Sequence, residues 1–270
     1  MTGPAAILER SAGGFGWRES GHGDGPPVVL LHGLMGSRLS WEPQLSALGT
    51  CCRVISWDAP GYGMSAPLAG RAGFESVADA VAGFLDVLEV ERAHLVGLSF
   101  GGMIAQHVAH RHPARLATLA LLATSPKFGL DGTSPDDWRR SRLAALDAGQ
   151  QPADLAPRVL RSIGGPGISE AALAGQIAAA ALVPASALRA SVEMLVTHDS
   201  RAWLGSLTVP TVIAVGELDH ETPIAYAQSI AASMHDAPLH VIPGAGHLLN
   251  VEAPDEVTGL IARHAGLPWQ

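Results

Sequence analysis

A glycine-flanked serine in the middle of the chain has the clearest potential for chemistry. Residues 95–102 read Leu-Val-Gly-Leu-Ser-Phe-Gly-Gly, so Ser99 follows a short apolar run and has Gly97 and Gly101 two positions away on either side. A strand that turns at once into a helix leaves no room for Cβ atoms at those two positions. Such a corner would present the Ser99 hydroxyl beside a helix N-terminus, which favours developing negative charge. Ser99 is therefore a candidate nucleophile.

Nucleophilic catalysis by a serine needs two further side chains. A hydroxyl is a poor nucleophile unless a base accepts its proton, and an imidazole does this best when a carboxylate fixes its tautomer and stabilises the imidazolium. Asp219 and His247 follow Ser99 along the chain, each shortly after an apolar run typical of a strand. Because the carboxyl ends of parallel strands share one edge of a sheet, we expect the three side chains to converge there.

Several residues compete with Asp219 for the position of the orienting acid. Asp219 is favoured because it ends the sequence Gly-Glu-Leu-Asp directly after a strand, and Thr222 and Pro223 then open the next helix. The alternatives are Asp199 and the neighbouring Glu217 and Glu221. A further alternative is the position directly after an earlier strand, which Ser125 occupies.

Short apolar runs and helical periodicity alternate along the first half of the chain. The runs predict strands over residues 28–31, 53–57, 95–98 and 116–123, and the intervening patterns predict helices over 41–48, 74–89 and 102–111. Uninterrupted apolar strands are typical of a parallel sheet that is covered on both faces. Residues 5–20 predict an antiparallel hairpin at the edge of this sheet. The fold class is therefore α/β, a doubly wound and mostly parallel sheet.

The alternation stops for about eighty residues and then resumes. Alanine-rich helical stretches are predicted over residues 138–148, 153–163, 169–181 and 185–196, after which strands (211–215, 239–242) and helices (223–234, 254–264) return. Because a structureless loop of such length is rare in a compact domain, the interruption predicts an inserted helical lobe over the site. We expect a core of residues 1–125 and 205–270 and a helical cap of residues 126–204.

Composition restricts the classes of partner. A net charge of −8 disfavours nucleic acid, and the longest apolar runs are far shorter than the roughly 20 residues that a transmembrane helix needs. The first ten residues lack a basic segment followed by an apolar core, which predicts a cytoplasmic location. Cys51 and Cys52 are adjacent in an apparent strand and predict buried thiols rather than a disulfide or metal site. No metal and no organic cofactor are expected.

Five motifs in a fixed order resemble the α/β-hydrolase family. They are His32-Gly33 and the segments 58–65 (DAPGYGMS), 97–102 (GLSFGG), 216–219 (GELD) and 244–247 (GAGH). The likeness extends over nearly the whole chain outside the lobe. It implies Ser99 as nucleophile, Asp219 as orienting acid and His247 as base, with the backbone N–H groups of Leu34 and Phe100 in the oxyanion hole.

Other polar residues have structural interpretations beside functional ones. We expect Asp58 to hold the loop after it by accepting backbone N–H bonds. The ring of His32 is expected to brace the oxyanion loop, with a catalytic role or contact to substrate as the other possibilities. Most of the 12 histidines are expected at the surface, since His107, His110 and His112 lie around a helix end, where positive charge suits the helix dipole.

The resemblance also implies a class of substrate. A serine at the corner argues against dehalogenase and epoxide hydrolase relatives, which carry aspartate there, and the chain is similar to the 3-oxoadipate enol-lactonase branch and small carboxylesterases. We therefore expect hydrolysis of a small ester or lactone, without nucleic acid or membrane partners. The apolar residues of the lobe, with Trp138 and Met194 as candidate substrate contacts, either line an acyl pocket or form the core of the lobe.

Three alternatives to ester hydrolysis stay open. A carbon–carbon bond hydrolase of ring-cleavage products and a cofactor-free perhydrolase would use the same serine, acid and base. A ligand receptor on a hydrolase scaffold would bind its ligand without turnover, and the complete Ser, Asp and His set argues against it. The sequence does not specify the oligomeric state.

Overall fold

The computed structural model describes residues 5–269 and contains one eight-stranded sheet. The strand order is β1-β2-β4-β3-β5-β6-β7-β8. Residues 1–4 and 270, which the predicted core ranges include, lie outside the described part. The strands are β1 (Ile7–Ala12), β2 (Phe15–Ser20), β3 (Val28–Leu31), β4 (Val54–Trp57), β5 (Ala93–Leu98), β6 (Leu116–Leu122), β7 (Thr211–Gly216) and β8 (Leu239–Ile242).

The sheet is antiparallel at one edge and parallel elsewhere. β1 and β2 form the predicted hairpin, and β2 pairs antiparallel with β4. All pairs from β4 across to β8 are parallel. The central strands β3 and β5 are buried at every position, as uninterrupted apolar runs require. The predicted doubly wound sheet is confirmed.

Helices cover both faces of the sheet. One apolar cluster joins it to α1 and α10, and a second joins its other face to α2, α3 and α8. The helices are α1 (Glu42–Leu48), α2 (Phe74–Val87), α3 (Phe100–Arg111), α4 (Pro135–Asp147), α5 (Pro152–Ile163), α6 (Glu170–Ala180), α7 (Ala185–Leu195), α8 (Ile224–Ser233), α9 (Leu249–Glu252) and α10 (Pro254–His264).

The interruption between β6 and β7 contains the four predicted helices, α4 to α7. α4 lies against α7, and α5 lies against α6. Leu143 and Leu188 belong to the apolar cluster that also covers the α2 and α3 face of the sheet. The lobe thus shares a hydrophobic core with the sheet.

The structure differs from the prediction at the two cysteines. Cys51 and Cys52 lie in a turn before β4 rather than in the strand, because their amides both donate to the carbonyl of Leu48 and close the end of α1. Cys52 is buried and Cys51 is half-buried, and both are free thiols. α9 is a further short helix that the sequence did not predict.

Across residues 5–269, no single helix is long and apolar enough to cross a membrane. Helices α6 and α7 are long and apolar enough only when their lengths are added, and their axes are bent by 97° relative to each other.

Candidate active site

Ser99 occupies a strained corner between β5 and α3. Its backbone has φ 54° and ψ −117°, outside the regions that a residue with a side chain normally adopts. A Cβ atom on Gly101 would lie 2.7 Å from the carbonyl oxygen of His32, and one on Gly97 would overlap the backbone of Gly101. The hydroxyl of Thr124 fixes the corner by donating to the Ser99 carbonyl at 2.8 Å.

The hydroxyl of Ser99 begins a line of three hydrogen-bonded side chains. Ser99 Oγ lies 2.8 Å from His247 Nε2, and His247 Nδ1 lies 2.9 Å from Asp219 Oδ2. Because the carboxylate accepts, the His247 proton resides on Nδ1, and Nε2 is free to accept from the serine. His247 and Asp219 are almost fully buried. The structure therefore brings together the three predicted residues from β5, β7 and the loop after β8.

The carboxylate of Asp219 is held in place by its own loop. Its Oδ1 accepts from the amides of Glu221 and Thr222 at 2.9 Å each, and its Oδ2 also accepts from the Thr222 hydroxyl at 2.7 Å. Burial disfavours the charged form, but the attraction of His247 and these hydrogen bonds outweigh it and lower the pKa of Asp219. The group is ready to stabilise an imidazolium.

The same pair shifts His247 in the opposite direction. Burial opposes protonation, but the negative charge of Asp219 and its hydrogen bond outweigh burial and raise the pKa of His247 above the usual 6.5. The charges of Glu221 and Glu252 act in the same direction. The imidazole is thus a stronger base than a free histidine.

The competing acid positions have other partners. Asp199 pairs with the guanidinium of Arg201 at 2.6 Å, and Glu221 faces Arg142 at 3.3 Å. Glu217 accepts from the amide of Gly244 at 2.9 Å. The hydroxyl of Ser125 donates to the carbonyl of Lys127. Of the alternatives weighed, Asp219 contacts the imidazole directly.

The predicted oxyanion amides flank Ser99. A Cβ atom on Gly33 would contact the Ser99 Cβ at 3.6 Å, so the segment that carries the Leu34 N–H runs alongside the serine. Phe100 is the first residue of α3, where N–H groups have no acceptor within the helix. Both amides therefore lie close to Ser99 in the fold, and their role as oxyanion donors stays a prediction.

His32 braces the loop rather than contacting the cavity. The amide of Ala59 donates to His32 Nε2 at 3.1 Å, so the ring proton is on Nδ1, which lies 2.8 Å from the carbonyl of Gly33. That carbonyl and the Leu34 N–H belong to one peptide unit. Burial lowers the pKa of His32, although the Gly33 carbonyl and the charge of Asp58 act in the opposite direction. The lowered pKa favours the neutral ring. The expected contact of His32 with substrate is corrected, because both ring nitrogens bond to backbone.

Asp58 holds the neighbouring loops, as predicted. Its Oδ1 accepts from the amide of Arg38 at 2.8 Å, and its Oδ2 accepts from the amide of Met64 at 2.9 Å and from the Arg38 guanidinium at 2.8 Å. The carboxylate is fully buried. A buried charge of this kind requires such partners, so its role is structural.

A cavity of about 210 Å³ opens onto Ser99 and His247. Trp138, a candidate substrate contact, lines this cavity, whereas Met194 packs among the buried apolar side chains beside Leu195, which does line it. Polar residues at the wall include Lys127, Asp131, Arg142, Glu221 and Gln176. The lobe contributes mainly aliphatic side chains, namely Leu155, Val159, Leu160, Ile163, Leu188, Val192 and Leu195. Some apolar residues of the lobe therefore line the cavity and others form its packed interior.

The predicted surface position of His107 is wrong. Its ring stacks on Phe74, with ring centroids 4.6 Å apart, and its Nε2 lies 3.2 Å from Nδ1 of buried His198. His198 Nε2 must donate to the carbonyl of Ser125, at 2.9 Å, so His107 is the donor to His198. Burial lowers the pKa of His107 to about 4 and that of His198 to about 3. Helix α3 is covered on both sides, which is why helix-end reasoning failed.

Two residues that position the imidazole were not predicted from the sequence. Thr222 bonds to Asp219 as described above, and Glu252 bonds to the backbone around His247. A carboxylate close to the predicted start of the last helix was the signal that could have drawn attention to Glu252. Within residues 5–269, no group of three or more His, Cys, Asp or Glu side chains is arranged to hold a metal ion.

The chain is similar in sequence and fold to known hydrolases. Residues 28–260 match the sequence model of a family described as the alpha/beta hydrolase family. A pimeloyl-(acyl-carrier protein) methyl ester esterase of Chromobacterium violaceum is 33% identical over 254 residues, which are 90% of this chain and 95% of that protein. The 3-oxoadipate enol-lactonase 1 of Acinetobacter baylyi is 26% identical over 239 residues, 88% of this chain and 87% of that protein. The crystal structure of the enol-lactonase from Burkholderia xenovorans has a TM-score of 0.85 at 25% identity and covers 96% of this chain and 100% of its own.

Proposed function

The chain belongs to the alpha/beta hydrolase family, and from this premise we propose that it hydrolyses a small carboxylic ester or lactone through an acyl-enzyme. One observation carries the proposal. Ser99, His247 and Asp219 form a continuous hydrogen-bonded line, 2.8 Å and 2.9 Å between successive side chains, and Ser99 and His247 line the cavity. This is the arrangement that converts a serine hydroxyl into a nucleophile at neutral pH.

In the proposed reaction, Ser99 Oγ attacks the carbonyl carbon of the substrate while its proton moves to His247 Nε2. The N–H groups of Leu34 and Phe100 stabilise the oxyanion of the tetrahedral intermediate. The imidazolium, stabilised by Asp219, then donates its proton to the leaving alkoxide and leaves an acyl ester on Ser99. A water molecule, deprotonated by His247, attacks that ester, and the imidazolium returns the proton to Ser99 Oγ as the carboxylic acid leaves.

Cavity size and lining support a small, largely apolar acyl or lactone substrate. A cavity of about 210 Å³ with aliphatic walls from α5 and α7 suits such a group. The named activities of similar proteins, a methyl ester esterase and an enol-lactonase, support ester or lactone cleavage. In this proposal residues 126–204 act as a cap over a core formed by residues 1–125 and 205–270, and no cofactor takes part.

The test is hydrolysis of p-nitrophenyl esters of increasing chain length beside a set of lactones. The proposal expects turnover by the native enzyme and a loss of at least about 10³-fold in Ser99→Ala. Full activity of Ser99→Ala on p-nitrophenyl acetate would overturn it. A vinylogous 1,5-diketone and peroxide-dependent halide oxidation are assayed in parallel. Faster turnover of either would replace ester hydrolysis by carbon–carbon hydrolysis or perhydrolysis, and binding without turnover would indicate a receptor.

A further inference from the structure

Gln176 is a buried amide on an otherwise apolar part of the cavity wall. It lies on α6 and is 6% exposed, and its neighbours on the helix, Leu173 and Ala180, belong to a separate apolar cluster. Four other cavity residues belong to that cluster or pack against it. They are Met35, Leu160, Ile163 and Leu248. We call Gln176 and these four residues the α6 wall.

The orientation of the Gln176 amide is fixed by the carbonyl of Ser40. Gln176 Nε2 donates to that oxygen at 3.0 Å, and Asn250 Nδ2 donates to the same oxygen at 2.8 Å. A carbonyl oxygen can only accept, so the nitrogen of each amide must face it. The Gln176 Oε1 atom therefore points away from Ser40.

Gln176 Oε1 is left as an acceptor at the cavity. Among residues 5–269 no donor bonds to it, yet it is not one of the polar atoms sealed from solvent without a partner, as Gln44 Oε1 and Asn250 Oδ1 are. Since Gln176 is nine-tenths buried and lines the cavity, the space that reaches Oε1 is the cavity itself. A substrate that covers the α6 wall must either bond to this oxygen or leave it unsatisfied.

The chemistry of the wall selects a neutral hydrogen-bond donor. Covering an unpaired amide oxygen with an alkyl chain is unfavourable, whereas an N–H or O–H group would satisfy it. An ammonium group is disfavoured there, because the aliphatic neighbours offer no counter-charge and the Glu252 carboxylate already accepts from the amides of Gly165, Gly246 and Leu248.

We propose that Gln176 is a specificity-determining residue, selecting esters or lactones that carry a hydroxyl or amide N–H on the part covering the α6 wall. This inference rests on the proposed hydrolase function and narrows its substrate class. A site built to accept a hydrogen bond discriminates against an analogue that lacks the donor, and about tenfold or more in kcat/KM is expected.

The experiment uses p-nitrophenyl esters in matched pairs. One series pairs alkanoates with ω-hydroxyalkanoates of equal length, and a second pairs acetamidoalkanoates with analogues in which CH₂ replaces the N–H. The native enzyme should prefer the donor member by about tenfold at one chain length or more. The two series distinguish a hydroxyl from an amide as the group recognised. If the native enzyme shows no such preference at any chain length in either series, the proposal is overturned, and no variant is needed for this result.

Two variants assign the preference to Gln176. In Gln176→Met, which has similar length and no acceptor, the donor preference should fall to about one, whereas Asn250→Ala removes the other bond to the Ser40 carbonyl and should retain it. A preference that survives in Gln176→Met would contradict the assignment. Absence of any ester turnover by the native enzyme would instead contradict the proposed function. The failure of the specificity proposal and the failure of the proposed function are therefore distinguishable.

Discussion

The Glu252 carboxylate accepts hydrogen bonds from the backbone on both sides of His247. Its Oε2 accepts from the amide of Gly246 at 2.7 Å and its Oε1 from the amide of Leu248 at 2.9 Å, while Oε2 also accepts from Gly165 in the lobe at 2.8 Å. The amide of His247 itself donates to the carbonyl of Ile163, at the end of α5. The position of the imidazole is thus tied to the lobe as well as to the sheet.

We predict that Glu252→Gln lowers kcat about tenfold and moves the acid limb of the kcat/KM profile to lower pH. A glutamine has one accepting oxygen for three amides, and it removes a charge that helps to raise the pKa of His247. Because His247 must be neutral to act as base, native activity should fall as pH drops through a midpoint above 6.5. Glu256→Gln, on the exposed first turn of α10, is the control. An unchanged limb in Glu252→Gln would refute this role.

We predict that His32→Ala lowers kcat by about 10- to 100-fold with little change in KM. The ring orients the peptide unit that carries the Leu34 N–H, and loss of one oxyanion donor costs on the order of 10² to 10³ in rate. Steady-state kinetics measures the effect. His94→Ala is the control. His94 lies at the start of β5, at the end of the strand away from Ser99, and its ring bonds to Thr118. Equal kinetic losses in both variants would point to general destabilisation instead.

The corner at Ser99 predicts a sharp difference between two glycine substitutions. Gly101→Ala should lower the free energy of unfolding by about 3 kcal/mol or more, because its Cβ would meet the backbone of Leu31 and His32. Gly83→Ala, in α2 with open space around the new Cβ, should be neutral or stabilising by up to about 1 kcal/mol. Urea unfolding of the two variants measures both. Similar stabilities would contradict the steric account of the corner.

The buried histidine pair predicts acid sensitivity of the fold. In the native state the pKa of His107 is about 4 and that of His198 about 3, against 6.5 in the unfolded chain. The unfolded state therefore binds more protons, so this contribution to stability is present above pH 6.5 and is lost as pH falls toward 4. His198→Gln can keep both hydrogen bonds without titrating, so its Tm should fall less than the native Tm between about pH 7.5 and 5.0. An equal fall in Tm in both proteins would contradict a role of the histidine pair in acid sensitivity. His110→Gln, on the exposed end of α3, is the control.

The elements and the three side chains that meet at the candidate site could be predicted from the sequence because both depend on local pattern. Ser99, Asp219 and His247 each follow an apolar run, and parallel strands bring such positions to one edge whatever the details of packing. Contacts between distant segments left no such pattern. The bond of Glu252 to Gly165 and that of His198 to Ser125 join residues 87 and 73 positions apart. Leu195 rather than Met194 lines the cavity, because adjacent positions on a helix point in directions about 100° apart.

The most direct test of the central claim is acid quenching of the first turnover with p-nitrophenyl acetate, followed by mass spectrometry of the peptides. We predict an acetyl group at Ser99 on the tryptic peptide of residues 93–111, and none there in Ser99→Ala. Acetylation at another residue, or ester hydrolysis that proceeds at the native rate without any covalent intermediate, would contradict it.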